Sequence, residues 1–167
     1  MGLTLRSILI FFLLLVMQLL IFSHVDLLGY VNPAVYILWI GFFPFLGNRP
    51  IFLVSSFLLG WILDIYLNTG GVHAAGLVLL AFARPLLLRL AFGAAATLPG
   101  ARINRMPTGE VVVFFGLAIV VHQLLVYALS IYDASRVIYV LRDALYGSIL
   151  TFIIVMSLFV LFKPSRS

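Results

Sequence analysis

Long apolar runs recur along this chain from one end to the other, broken only by short polar turns. A soluble fold has no way to bury so much apolar surface in so few residues. Of the 167 residues, 65% are apolar and 9% charged, where an ordinary soluble domain is roughly half apolar and about a quarter charged. At about 20 residues per membrane crossing, six helices consume most of the chain, and no room is left for a second, soluble domain. The pattern excludes a disordered chain, a coiled coil and a single-span anchor, and predicts an all-α, polytopic integral membrane protein formed by one transmembrane domain over residues 1–167.

Turn chemistry divides the chain into six expected spans. The first covers residues 7–22. Arg6 ahead of an apolar stretch has the look of a signal peptide, but no small-residue cleavage site follows at Ser23 and His24, so an uncleaved span is expected. The second, residues 31–46, opens at the turn dipeptide Asn32-Pro33 and closes at Gly47-Asn48-Arg49-Pro50. Between Pro33 and Leu46 it is short of a full crossing, so it must borrow Tyr30 and Val31, thin the bilayer or re-enter. Spans three and four, residues 51–67 and 73–92, are joined by Asn68-Thr69-Gly70-Gly71, whose paired glycines suit positive φ and a tight helical hairpin. Residues 93–108 form the longest loop, turn-rich and basic, and read as a connector lying on headgroups. Span five, 109–131, has Thr108 as its expected N-cap and Glu110 in its first turn, against the positive end of the helix dipole. Span six ends near Phe162 and starts either at Ala144 or at Ser135, with Asp133 as cap.

Ten Lys and Arg face five acids, and in a membrane protein the location of each charge matters more than the sum. Arg6, Arg49, Arg84, Arg89, Arg102, Arg105, Lys163 and Arg166 fall on or toward the side of the termini. Arg136 and Arg142 fall opposite, with Asp26, Asp133 and Asp143. That asymmetry places both termini in the cytoplasm.

An ionisable side chain inside a span costs roughly 2.5–3.5 kcal/mol on insertion scales, so each requires a partner, a snorkelling route or a purpose. Ser56, Gly60, Asp64 and Asn68 recur every fourth residue and form a small, polar packing stripe on span three. His73 and Arg84 share one face of span four with Leu77 and Leu80 between them. By depth Asp64 is out of easy reach of Arg84 and close to His73, so Arg84 is expected to snorkel to the headgroups and Asp64 to cap or bridge the outer turn with His73. His122 lies near the middle of span five and is expected to hydrogen-bond a neighbouring helix, with a proton relay as the sharper reading. Gln123, Tyr127 and Ser130 follow along span five. Asp143, Gly147 and Thr151 mark a close-packing face on span six.

No cysteine is present. The three histidines have no ligand-like spacing, and no nucleophile motif or phosphate loop occurs. Neither enzymatic activity, nor a metal, nor a cofactor is expected, and nucleic acid is not an expected partner. A channel or transporter would need converging polar groups or a broken-helix pair, for which Arg84-Pro85 is the one hint. Nothing in the sequence requires or excludes self-association.

Residues 60–90 resemble the central motif of the rod shape-determining MreD family. The family pattern has a Gly-x-x-x-Asp step, a turn with glycine, a His-Ala pair, and an aromatic residue followed by Arg-Pro and a second Arg. This chain supplies Gly60, Asp64, Gly70, Gly71, His73, Ala74, Phe82, Arg84, Pro85 and Arg89. Asn32-Pro33, Pro44-Phe45 and His122 are also similar. The resemblance implies a non-enzymatic inner-membrane scaffold of the bacterial cell-wall elongation machinery. It also implies binding of the single-span coiled-coil protein MreC and association with MreB, RodA and a transpeptidase. The same family is similar in fold to the substrate-binding components of energy-coupling-factor vitamin transporters, which supplies the alternative. Those components dock their partner through small residues in span one, and residues 8–22 here contain neither Gly nor Ala. The scaffold reading assigns Arg102 and Arg105 to cytoplasmic components or anionic lipid, and a partner's single span to the bulky face of span one.

Overall fold

A computed structural model describes residues 5–24, 32–98, 100–130 and 137–162. Among them are six α-helices: α1 Leu5–Leu20, α2 Leu38–Phe42, α3 Arg49–Leu67, α4 Val72–Phe92, α5 Thr108–Ser130 and α6 Val137–Phe162. Five of these stretches are long and apolar enough to cross a membrane, the make-up of a multi-pass membrane protein. The exception is α2, and it departs from the expected second span. A single 3₁₀ turn, Val35–Ile37, runs straight into it, so the helical part is Val35 to Phe42, about 12 Å at 1.5 Å per residue against a core of about 30 Å. Its stop is set by Pro44. A proline disfavours helical backbone in the residue before it, and Phe43 is extended (φ −62°, ψ 141°).

This short helix stands at the centre of the molecule. Residues Val35 to Ile40 are at most 2% exposed, and its side chains meet every wall around it. Trp39 packs edge-on against Phe11 of α1 at 5.4 Å, Phe42 stacks on Phe159 of α6 at 6.1 Å, and Tyr36 lies 5.3 Å from His122 of α5. Irregular backbone at membrane depth is tolerated only where protein surrounds it, and α1, α4, α5 and α6 provide that enclosure. The borrowed residues Tyr30 and Val31 lie outside the described residues.

The hairpin of α3 and α4 forms as expected. Asn68, Gly70 and Gly71 all have positive φ (55°, 68° and 102°), and the Asn68 amide closes the last turn on the Asp64 carbonyl. Gly60 is the point of closest approach: a Cβ built there would stand 2.5 Å from Ala74 Cα and 2.6 Å from its nitrogen. Backbone cannot yield like a flexible side chain, so Gly60→Ala must push α3 and α4 apart. The expected loss is about 1–3 kcal/mol, read as a lower thermal midpoint in detergent. Gly109→Ala, whose new methyl would meet nothing within 4 Å, should leave the midpoint unchanged. Equal behaviour of the two variants would refute close packing at Gly60.

Several boundaries shift by a few residues. α6 begins at Val137, seven residues before Ala144 and close to the earlier of the two expected starts, because the apolar run carries through Arg142 and Asp143, which pair with each other at 2.8 Å; Asp133 and Ser135 themselves lie outside the described residues. α5 begins at Thr108 itself, and the Pro107 carbonyl accepts from the Val111 amide. The basic loop is no loose connector. It carries 3₁₀ turns at Gly93–Thr97 and Ile103–Arg105, and Ile103 is 2% exposed, packed under Gly41 of α2.

Candidate functional site

The polar groups expected to matter meet at the two ends of α2 and at the top of the α3–α4 hairpin. A short buried helix presents unpaired N–H groups at its start and unpaired carbonyls at its end, and here side chains from three other helices satisfy them. At the start, Gln18 of α1 donates through Nε2 to the Pro33 carbonyl (3.0 Å) and accepts from the Val35 amide (2.9 Å). Thr151 Oγ1 of α6 accepts from the Ala34 amide (3.1 Å) and from Gln123 Nε2 of α5 (2.9 Å).

At the other end Arg84 of α4 donates to three carbonyls: Nε to Ile40 (2.6 Å), Nη2 to Phe43 and Nη1 to Pro44 (3.3 Å). Its guanidinium carbon lies 4.7 Å from the centre of the Phe52 ring and 5.5 Å from that of Phe45. The expected snorkelling does not occur. Arg84 is 4% exposed, because the broken end of α2 offers three carbonyls within its reach, and the forked guanidinium can bond several at once. No ion pair with Asp64 forms. α4 itself runs unbroken through Pro85, so the broken element is the segment bounded by Pro33 and Pro44.

Asp64 behaves as expected, as a cap supplied from the neighbouring helix. Oδ1 accepts from the His73 amide (2.9 Å) and from Thr69 Oγ1, Oδ2 accepts from the Ala74 amide (2.8 Å), and His73 Nδ1 lies 3.0 Å from Oδ1. The carboxylate therefore holds the first turn of α4, where Gly71, with no side-chain oxygen, occupies the capping position, and it complements the helix dipole. His73, Leu77, Leu80 and Arg84 share an inward face as the 3.6 period predicts.

His122 departs from expectation. It is fully buried, and neither ring nitrogen has a hydrogen-bond partner; its neighbours are the Tyr36 ring and Gly76. Its neighbour Gln123 makes the interhelical bond instead. Gly147 packs against Gln123 and Tyr127, where a Cβ would come within 3.1 Å of both, so α6 uses its small-residue face for contact. Arg89, Arg102 and Arg105 form no ion pair among the described residues and take no part in either cluster.

Two cavities flank α2. One, of about 230 Å³, lies at its start and is lined by Gln18, Tyr36, Thr69, His73, Gln123 and Tyr127 among others. The second, of about 320 Å³, lies at its end, between Phe43, Phe45, Arg49, Phe52, Arg84 and Leu88. Gln18, Thr151 and Arg84 together clamp the two ends of α2; Thr151 is expected on a close-packing face of span six, and neither it nor Gln18 is expected as a partner of this backbone. The available signal was Gln18 itself, the lone amide in an aliphatic helix. No protein-family model matches the chain, and neither does any curated protein or solved structure with which it was compared.

Proposed function

We propose that this protein is a non-enzymatic scaffold subunit of the bacterial cell-wall elongation machinery, of the MreD type. In this reading it sits in the inner membrane with six crossings and both termini in the cytoplasm, and it binds MreC. The observation that carries the reading is the use made of the motif. Asp64 and His73 hold the start of α4, Arg84 holds the end of α2, and Gly60 lets α3 meet α4. A motif spent on fixing backbone builds a rigid platform, which suits presenting helix faces to partners. α1 offers one such face: it turns Ser7, Leu14, Leu15 and Gln18 inward and Leu5, Leu9, Phe12 and Leu20 outward, a bulky apolar stripe suited to a partner's single span. The crossing count follows if the segment from Asn32 to Asn48 is taken as one pass, helical from Val35 to Phe42 and closed by a turn from Pro44 to Gly47. The start of that segment lies beside Gln18 near the end of α1, and Phe43, just past the end of α2, lies 4.7 Å from Phe52 near the start of α3. The cytoplasmic side is assigned by the excess of arginine at that latter end.

The cavity at the start of α2 favours a second reading, a membrane component that binds a small molecule. Its volume falls below the roughly 300–1,000 Å³ of common ligand sites. Native mass spectrometry of the detergent-purified protein, expressed with and without MreC, separates the two. A stable complex with MreC is the expected result; a bound small metabolite and no complex would replace the scaffold reading by the carrier reading.

A further inference from the structure

We propose that the cavity at the end of α2 is a binding site for the headgroup of an anionic phospholipid, a role that goes beyond scaffolding and does not depend on it. The first ground is charge. Arg49 and Arg84 both line the cavity, and arginine keeps its charge under all physiological conditions. Of the described acids, Asp64 is paired with His73 and Asp143 with Arg142. Glu110 forms no ion pair among the described residues. The three carbonyls on Arg84 and the aromatic rings around it are dipoles and quadrupoles; they solvate its charge without neutralising it. A second cation at the same opening adds to the field.

The second ground is depth. α3 and α4 run antiparallel, with Phe52 level with Arg84 and Arg49 over the Phe82 ring at 5.2 Å. Arg89 lies one turn beyond Pro85 on the same side of α4, and Pro85 is part of the cavity wall. Arg49 and Arg89 are exposed at this end of the helix pair, and the buried guanidinium of Arg84 lies beside them. Arg49 is also the first residue of α3, so the positive end of that helix dipole faces the same opening.

The third ground is the wall chemistry, and it selects the occupant. Phe43, Phe45, Phe52 and Leu88 make most of the cavity apolar. An inorganic anion would answer the arginines and leave these walls empty. A phospholipid presents a phosphate, which guanidinium groups can bind bidentately, joined to an apolar body of matching polarity. Basic pockets between transmembrane helices recognise lipid headgroups in this way.

The test uses the full-length protein in nanodiscs of phosphatidylglycerol and phosphatidylcholine with identical acyl chains, followed by native mass spectrometry of the lipid retained after release into detergent. Wild-type protein is expected to retain phosphatidylglycerol over phosphatidylcholine by about tenfold or more. Arg49→Gln with Arg89→Gln, both at exposed positions, should abolish that preference, since each arginine near a membrane surface is worth about 1 kcal/mol, or about fivefold, and the two together cover the tenfold. Arg102→Gln with Arg105→Gln should leave it unchanged. Equal retention of the two lipids would overturn the proposal. So would loss of the preference in the Arg102/Arg105 pair alone, which would place the lipid at the loop. A third arm adds inorganic phosphate: an adduct of phosphate mass without retained phosphatidylglycerol would mean a free-anion site and would also overturn it.

Discussion

Arg84→Leu is expected to lower the stability of the detergent-solubilised protein by about 3–5 kcal/mol, the largest loss of any single substitution at the clamp. The leucine would fill much of the space and remove all three donors. The carbonyls of Ile40, Phe43 and Pro44 would then be left without Arg84, and a buried polar group that loses its partner costs about 1–3 kcal/mol. At that depth no bulk water replaces the lost donors. Arg84→Lys makes the argument specific. It preserves the charge as a single compact ammonium, which cannot reproduce the fork, so its stability should fall between wild type and Arg84→Leu. Arg89→Leu, on the same helix but exposed, should be near neutral. Heating followed by gel filtration gives the three midpoints. A wild-type midpoint for Arg84→Leu would show that the end of α2 does not depend on this side chain.

The same clamp separates what is legible in the sequence from what is not. The α3–α4 hairpin is legible because everything that makes it is local: four turn residues from Asn68 to Gly71, Gly60 and Asp64 on one side and His73 on the other. Periodicity places Asp64 one turn from the hairpin tip, and from there it can reach only the start of α4. Five of the long apolar stretches are equally plain, since length and composition alone define them.

α2 is a different kind of element. Pro33 and Pro44 announce that the segment between them cannot make a full helix, and its 14 residues from Pro33 to Leu46 announce a shortfall. Neither says how the loose backbone is satisfied, because its partners are remote in sequence: Thr151 is 117 residues from Ala34, and Arg84 is 44 from Ile40. Headgroups are the only acceptors for Arg84 whose position the sequence supplies, and the carbonyls of α2 are invisible in it. The basic loop fails for the same reason. Ile103 looks like one apolar residue in a turn-rich connector until Gly41 leaves room beneath α2 for it. His122 is the reverse case, a polar residue for which sequence reasoning assumed a partner; the space around it went instead to Tyr36 and to the glycine face of α4.

Asp64→Ala is expected to be the second most damaging change, costing about 2–4 kcal/mol. Its carboxylate takes the amides of both His73 and Ala74 and the Thr69 hydroxyl. An ordinary N-cap is worth about 1 kcal/mol, and here a single side chain answers two amides at the tip of a hairpin. Asp64→Asn retains one oxygen acceptor and gives up the charge, so it should recover about half of the loss. His73→Ala keeps both backbone amides on Asp64 and should cost less than Asp64→Ala. The variants also bear on the proposed contact with MreC, because a cap and a contact residue behave differently as stability is varied. If Asp64 acts only through the fold, MreC capture by each variant, measured well below its own unfolding midpoint, will match wild type. If capture by Asp64→Asn is lost while its midpoint stays near that of wild type, the carboxylate touches the partner directly, and the hairpin tip rather than α1 becomes the surface to map.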